Sequence, residues 1–214
     1  MRGFGWFLAA ALVMTSSATI IDRIAVVVNK SIVKDSDINR DIRLVYFMNG
    51  QKLICDTAAR KEAANRLIDQ QFIRTEITAG DYPEPSASAV DQMLAETQKS
   101  RFASEQQFEE TLKSYGITEP ELKQYLHWQL TVLQFIDVRF RPAVLVTDED
   151  IKKYYDAHLA ELTRDHPNQA HTLPALKDEI EQALVGERVN DQFYTWLDRR
   201  RKSAKIEFHE EGLQ

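Results

Sequence analysis

Residues Ile24 to Val28 read Ile-Ala-Val-Val-Val, and Ser31-Ile32-Val33 resumes the apolar run after Asn29-Lys30. β-Branched residues suit a pleated strand, and Asn tolerates the left-handed conformation of a tight turn, so the pattern predicts a small hairpin. Near the other end, Ala204-Lys205-Ile206-Glu207-Phe208 alternates apolar and charged residues with the period of a strand. Two strands alone are marginal in water. With strands only near the two ends of an otherwise helical chain, the ends are expected to meet in one small sheet.

Between the strands the chain punctuates itself into helices. Asp35 or Ser36 is a candidate cap for a helix to about Phe47, closed by Asn49-Gly50, and Asp56 for a longer one to about Ala79 before Gly80 and Pro83. Ser88 with Asp91, Ser104 with Gln107, Thr118 with Glu121, and Thr147 with Asp150 fit or approximate the capping box. In that motif a hydroxyl accepts from a first-turn amide while the residue three further on reaches back. Pro120 fits a first turn, and Gly116 closes the helix before it. The last helix is expected from near Thr172 to about Lys202, with Gly186 inside it at a local cost of about 1 kcal/mol relative to Ala. A polar linker from Leu162 to Thr172 precedes it.

The helix from Thr118 to Phe140 is apolar on two sides. Leu122, Leu126, Leu130, Leu133 and Ile136 form one stripe, and Tyr125, Trp128, Val132 and Phe135 a second, about 100° round from the first. A surface helix needs one apolar face. Two stripes mean burial between other helices, or one face left open to a partner. Met93, Phe102, Phe108 and Tyr115 on the neighbouring helices pose the same question.

The chain's 214 residues are 43% hydrophobic and 28% charged, with only 7 Gly and 6 Pro, which suits a helix-rich globular protein. The net charge of −6 argues against a nucleic-acid face, and Arg199-Arg200-Arg201-Lys202 is read as a last-turn complement to the helix dipole. Met1-Arg2, the apolar run Phe4 to Met14 and the small residues Ser16-Ser17-Ala18 read as a signal peptide over 1–18. The mature chain is then expected to be exported, with no stable membrane insertion. Cys55 is the only cysteine, so no internal disulfide forms, and the thiol is expected to be a small buried or half-buried side chain.

No arrangement for chemistry stands out. There is no Gly-x-Ser-x-Gly elbow and no phosphate-cradling Gly-rich loop, and the histidines at 127, 158, 166, 171 and 209 lack metal-ligand spacing. The sequence reading is therefore of a protein that is not an enzyme, with no catalytic residue, metal or cofactor.

The order of parts resembles a known family. "DRIAVVVNKSIVKDSDINRDI" at residues 22 to 42 resembles the opening of SurA, PrsA and related parvulin-containing foldases, where a hairpin feeds a helix that starts with Ser-Asp. "AANRLIDQQFIRTEI" at 63 to 77 is similar to their second helix, and "VTDEDIKKYYDAH" at 146 to 158 to the segment leading into the prolyl-isomerase domain. "LPALKDEIEQALVGERVNDQFYTWLDRRRKSAKIEF" at 173 to 208 resembles their closing helix and strand. One departure is plain: the parvulin domain that would separate the last two segments is replaced by a short linker. The resemblance thus implies the chaperone module of the SurA N-terminal-domain type without prolyl isomerisation.

The expected fold is mainly α, with about seven helices and a small β-sheet from the N-terminal hairpin and the C-terminal strand. One domain over 19–214 would take its core from 19–84 and 141–214, with a helical lobe over 85–140. The expected function is ATP-independent holding of unfolded polypeptides in the periplasm, and the resemblance implies outer-membrane protein precursors as clients. Candidate client-binding residues are Tyr125, Trp128, Val132, Phe135, Met93, Phe102, Phe108 and Tyr115. Alternative readings are a non-catalytic subunit docking on one dedicated envelope partner, and a residual prolyl isomerase. The sequence leaves the oligomeric state open.

Overall fold

The computed structural model describes residues 22–165 and 172–213. The expected signal peptide, His166 and His171 lie outside the described residues. Strands β1 (Ile24–Val28), β2 (Ser31–Lys34) and β3 (Ile206–Phe208) form one antiparallel sheet in the order β2-β1-β3. The two ends of the described chain therefore meet, as the alternation at 204–208 predicts. Asn29 takes the left-handed conformation (φ 53°) in the hairpin turn. Its amide donates to Lys205 O at 2.8 Å, and its side-chain oxygen accepts from the Lys205 amide at 2.9 Å. One residue thus makes the turn and docks the distant strand.

Among the described residues there are seven α-helices: α1 (Asp35–Asn49), α2 (Thr57–Ala79), α3 (Ala87–Arg101), α4 (Glu105–Tyr115), α5 (Glu119–Phe140), α6 (Asp148–Asp165) and α7 (Leu173–Ser203). The fold is mainly α with a small sheet. Asp56, Ser104, Thr118 and Thr147 accept from the expected first-turn amides. Two caps differ from the sequence reading. α3 is capped by Ser86, whose hydroxyl accepts from the Ala89 amide, because the helix begins before Ser88. α1 begins at Asp35, and its Ser36 amide and hydroxyl both donate to the Asp22 carboxylate ahead of the hairpin. Those bonds favour the ionised form and hold the Asp22 pKa down. α6 also runs past Leu162 to Asp165.

Buried apolar side chains gather in three clusters. The largest joins the sheet, α1, α2, the C-terminal parts of α5 and α7, and Leu213. A second fills the lobe between the end of α1, α3, α4 and the start of α5. A third lies between α6 and the first half of α7. α5 serves two clusters: Leu122, Leu126 and Leu130 face the lobe, while Trp128, Val132, Phe135 and Ile136 face the large core. The two clusters divide α5 along its length and not stripe by stripe, since Tyr125 packs with the lobe and Ile136 with the large core. That burial accounts for most of its apolar excess, although Leu133 stays exposed. At 31 residues α7 is about 46 Å long, enough to link the third cluster to the first.

The C-terminal turn closes the large core. Arg60 on α2, its side chain 8% exposed, contacts Asp35 and donates to Asn39 Oδ1 and to Gly212 O, each at 2.8 Å. At Gly212 a Cβ would sit 2.6 Å from Ile24 O, so only glycine allows this approach to β1.

Candidate functional site

The expected client-binding residues divide into three groups. Phe108 and Phe135, each 1% exposed, are interior packing and cannot line a groove, which corrects the sequence reading. Phe135 lies against Tyr82, Phe140 and Trp196 with ring centroids 5.1–5.9 Å apart. Phe108 belongs with Phe102 and Tyr115 to an aromatic cluster around Phe47, which sequence reasoning passed over. Phe47 falls on the same helical face as Leu44, and that spacing was the available signal. Phe102, Tyr115 and Met93 are half-buried against the lobe cluster, and Val132 against the large core. Tyr125 and Trp128 are half-buried too, but they line open space.

That space is a groove between α1, α2 and α5. A cleft of about 360 Å³ is bounded by Leu44 of α1, Leu67, Gln70 and Gln71 of α2, and Tyr125 and Trp128 of α5. A second, of about 320 Å³, adjoins it and is bounded by Ile77, Pro83, His127 and Thr131. Arg74, Gln124 and Trp128 border both. The Arg74 guanidinium carbon lies 3.8 Å above the Trp128 ring centroid, within cation–π range. The stack of Arg74 on Trp128 thus stands midway along the groove. Along α2, Leu67, Gln70, Gln71 and Arg74 follow the i, i+3, i+4, i+7 spacing of a core face but are mostly polar. That mismatch was the sequence signal for a wet groove.

The groove wall is charged and mostly self-compensated. Asp41 is buried and accepts from Arg66 Nε at 2.9 Å and Nη2 at 2.7 Å. Burial nonetheless pushes its pKa up, outweighing the attraction of Arg66. The Tyr125 hydroxyl is also pushed up, first by burial and then by the Asp41 charge. Glu121 is held down by its hydrogen bonds from Thr118. Arg74 is exposed at the rim, yet its neighbours crowd it enough to pull its pKa below that of a free arginine.

Elsewhere the structure assigns structural roles. In the basic run of α7, Arg200 pairs with Glu76, Arg201 with Asp69 at 2.6 Å and Lys202 with Asp198 at 2.7 Å. Two of these clamp α7 to α2 rather than forming a free cationic patch. Cys55 is exposed in the connection between α1 and α2, against the expectation of a buried thiol, because that connection runs over the surface. Among the described residues no group of three or more His, Cys, Asp or Glu side chains is placed to hold a metal ion. No helix among them is long and apolar enough to cross a membrane.

No family model matches the chain. Over 80 residues it is 36% identical to the foldase protein PrsA of Clostridium botulinum strain Loch Maree (type A3) and, equally, to that of strain Hall (type A). The match takes in 36% of this chain and 24% of each relative, so it spans about a quarter of the length of the curated proteins it resembles.

Proposed function

We propose that this protein is an ATP-independent holdase that binds unfolded polypeptides outside the cytoplasm, without catalysis, in the groove between α2 and α5. The observation that carries the reading is the groove itself, where Tyr125 and Trp128 offer aromatic surface beside the amides of half-buried Gln71 and exposed Gln124. Aromatic rings give contact area to varied apolar side chains, and amides satisfy the main chain of an extended segment. The partial likeness to foldases supports a role in protein folding. A periplasmic location and outer-membrane protein precursors as clients follow from the sequence resemblance and are part of the proposal. Binding of any one segment is expected to be weak, because segment and side chains must both be ordered.

The test is suppression of aggregation of a urea-diluted outer-membrane β-barrel protein. Trp128→Ser combined with Tyr125→Ser is expected to lose most suppression while keeping the helical circular dichroism of the parent. Full suppression by a folded double variant would reject the groove. Phe135 is unsuitable for this test, since polar substitution there would unfold the core.

A further inference from the structure

Arg74 is the uncompensated cation of the groove. It has no hydrogen-bond or ion-pair partner for its guanidinium among the described residues. The carboxylates around it are committed elsewhere. Asp41 pairs with Arg66, Glu76 with Arg139 and Arg200, and Asp37 with Arg40 and the Lys34 amide. Glu121 is held by Thr118 and lies 3.8 Å from Arg40. Glu84 borders the second cleft without coming within ion-pair distance. The guanidinium carbon lies 3.8 Å over the Trp128 ring centroid, and its N–H groups have no other partner among the described residues.

A planar guanidinium without a partner is a receptor for a carboxylate, which it can bind through two parallel hydrogen bonds. The contact with Trp128 already restrains the side chain, so part of its rotamer freedom is lost before binding. Open cleft continues on both sides of the stack, with Leu44 and Leu67 on one side and Ile77 and Pro83 on the other. A chain can therefore run past Arg74 in both directions, which suits an interior side chain better than a chain terminus.

We propose that Arg74 binds an aspartate or glutamate side chain inside an extended polypeptide segment whose flanking apolar residues occupy the two clefts. This inference rests on the groove being where unfolded chains bind. It predicts selection for apolar–acidic–apolar segments over equally apolar neutral or basic ones. An acceptor pairing with an exposed arginine should tighten binding about twofold to fivefold at low salt, and less at high salt.

The test uses fluorescent nonapeptides, acetylated and amidated, identical except for Glu, Gln or Lys at the centre, with affinities read by fluorescence anisotropy. A fourth peptide has Gln at the centre and a free terminal carboxylate. The expected order for the parent protein is Glu over Gln over Lys. The Glu–Gln difference should vanish in Arg74→Gln and persist in Lys30→Gln on the hairpin turn. Circular dichroism melting checks that both variants are folded. If all peptides bind alike, or the Glu preference survives Arg74→Gln, the carboxylate assignment is wrong while the groove stands. If the free terminus gains more through Arg74 than the central Glu does, the ligand is a chain end and the interior assignment fails. If no peptide binds the parent protein, the groove reading itself fails.

Discussion

Arg60→Met removes the polar tie between α1, α2 and the C-terminal turn while keeping the apolar stem. Three contacts are lost, to Asp35, Asn39 Oδ1 and Gly212 O. The Asp35 side chain is 37% exposed, so water can replace the arginine there and the loss is small. The Gly212 carbonyl is buried, and leaving it unpaired costs roughly 1–2 kcal/mol, whereas half-buried Asn39 Oδ1 recovers part of its bond from water. Replacing a whole buried ion pair with apolar residues can be neutral, but here the acceptors stay behind. The sum is about 2 kcal/mol. For a chain of this size each kcal/mol moves Tm by about 2–4 °C, so a fall of roughly 4–8 °C is expected. Thermal and urea unfolding followed by circular dichroism measure it. Removal of residues 212–214 deletes one of the same acceptors, so the two losses should overlap by more than about 0.5 kcal/mol in a double-mutant cycle. A melting point within about 2 °C of the parent, or strictly additive losses, would refute the argument.

Three other outcomes follow from local geometry. Nothing lies within 4 Å of a Cβ built at Gly186, so Gly186→Ala should stabilise the chain by up to about 1 kcal/mol in urea unfolding. Ser86→Ala should cost about 1 kcal/mol and Ser88→Ala much less, since only Ser86 caps α3. Asp150 joins Thr147 to Arg188, and the Arg188 hydrogen bond, with those from Thr147, holds its pKa far below the usual carboxylate range. A depressed folded-state value means that this stabilisation is present above the unfolded carboxylate pKa and lost as pH falls through the folded one. Hydrogen exchange should therefore show the start of α6 loosening only in acid below about pH 4. Asp150→Asn should remove that acid dependence.

Local chemistry was the legible part of this sequence. Asp56, Thr118 and Thr147 mark helix starts because a cap and its amide lie within one turn of chain. Asn29 announced a turn through its tolerance of positive φ, and the alternation at Ile206–Phe208 announced the strand that meets it. α3 showed the limit, since Ser86 and Ser88 are both adequate caps by residue type and only Ser86 accepts from a first-turn amide. The candidate site was half legible. Tyr125 and Trp128 stand out as aromatics on a two-striped helix, but the same pattern includes Phe135, which is sealed. Their difference arises because α5 crosses from one core to another along its length, and a stripe does not say what lies opposite it. Arg74 was invisible for the same reason. It lies 54 positions before Trp128, and only the packing of α2 beside α5 sets one over the other.

The most direct measurement is photo-crosslinking from single sites to an unfolded β-barrel protein. A benzophenone amino acid placed at Gln71 or Gln124 in the groove should crosslink strongly. The same probe at Tyr194 or Leu133, exposed apolar positions outside it, should give little. An unlabelled unfolded competitor should suppress the groove signal. Crosslinks spread evenly over all four positions, or concentrated at Tyr194 and Leu133, would contradict the assignment of client binding to the α2–α5 groove.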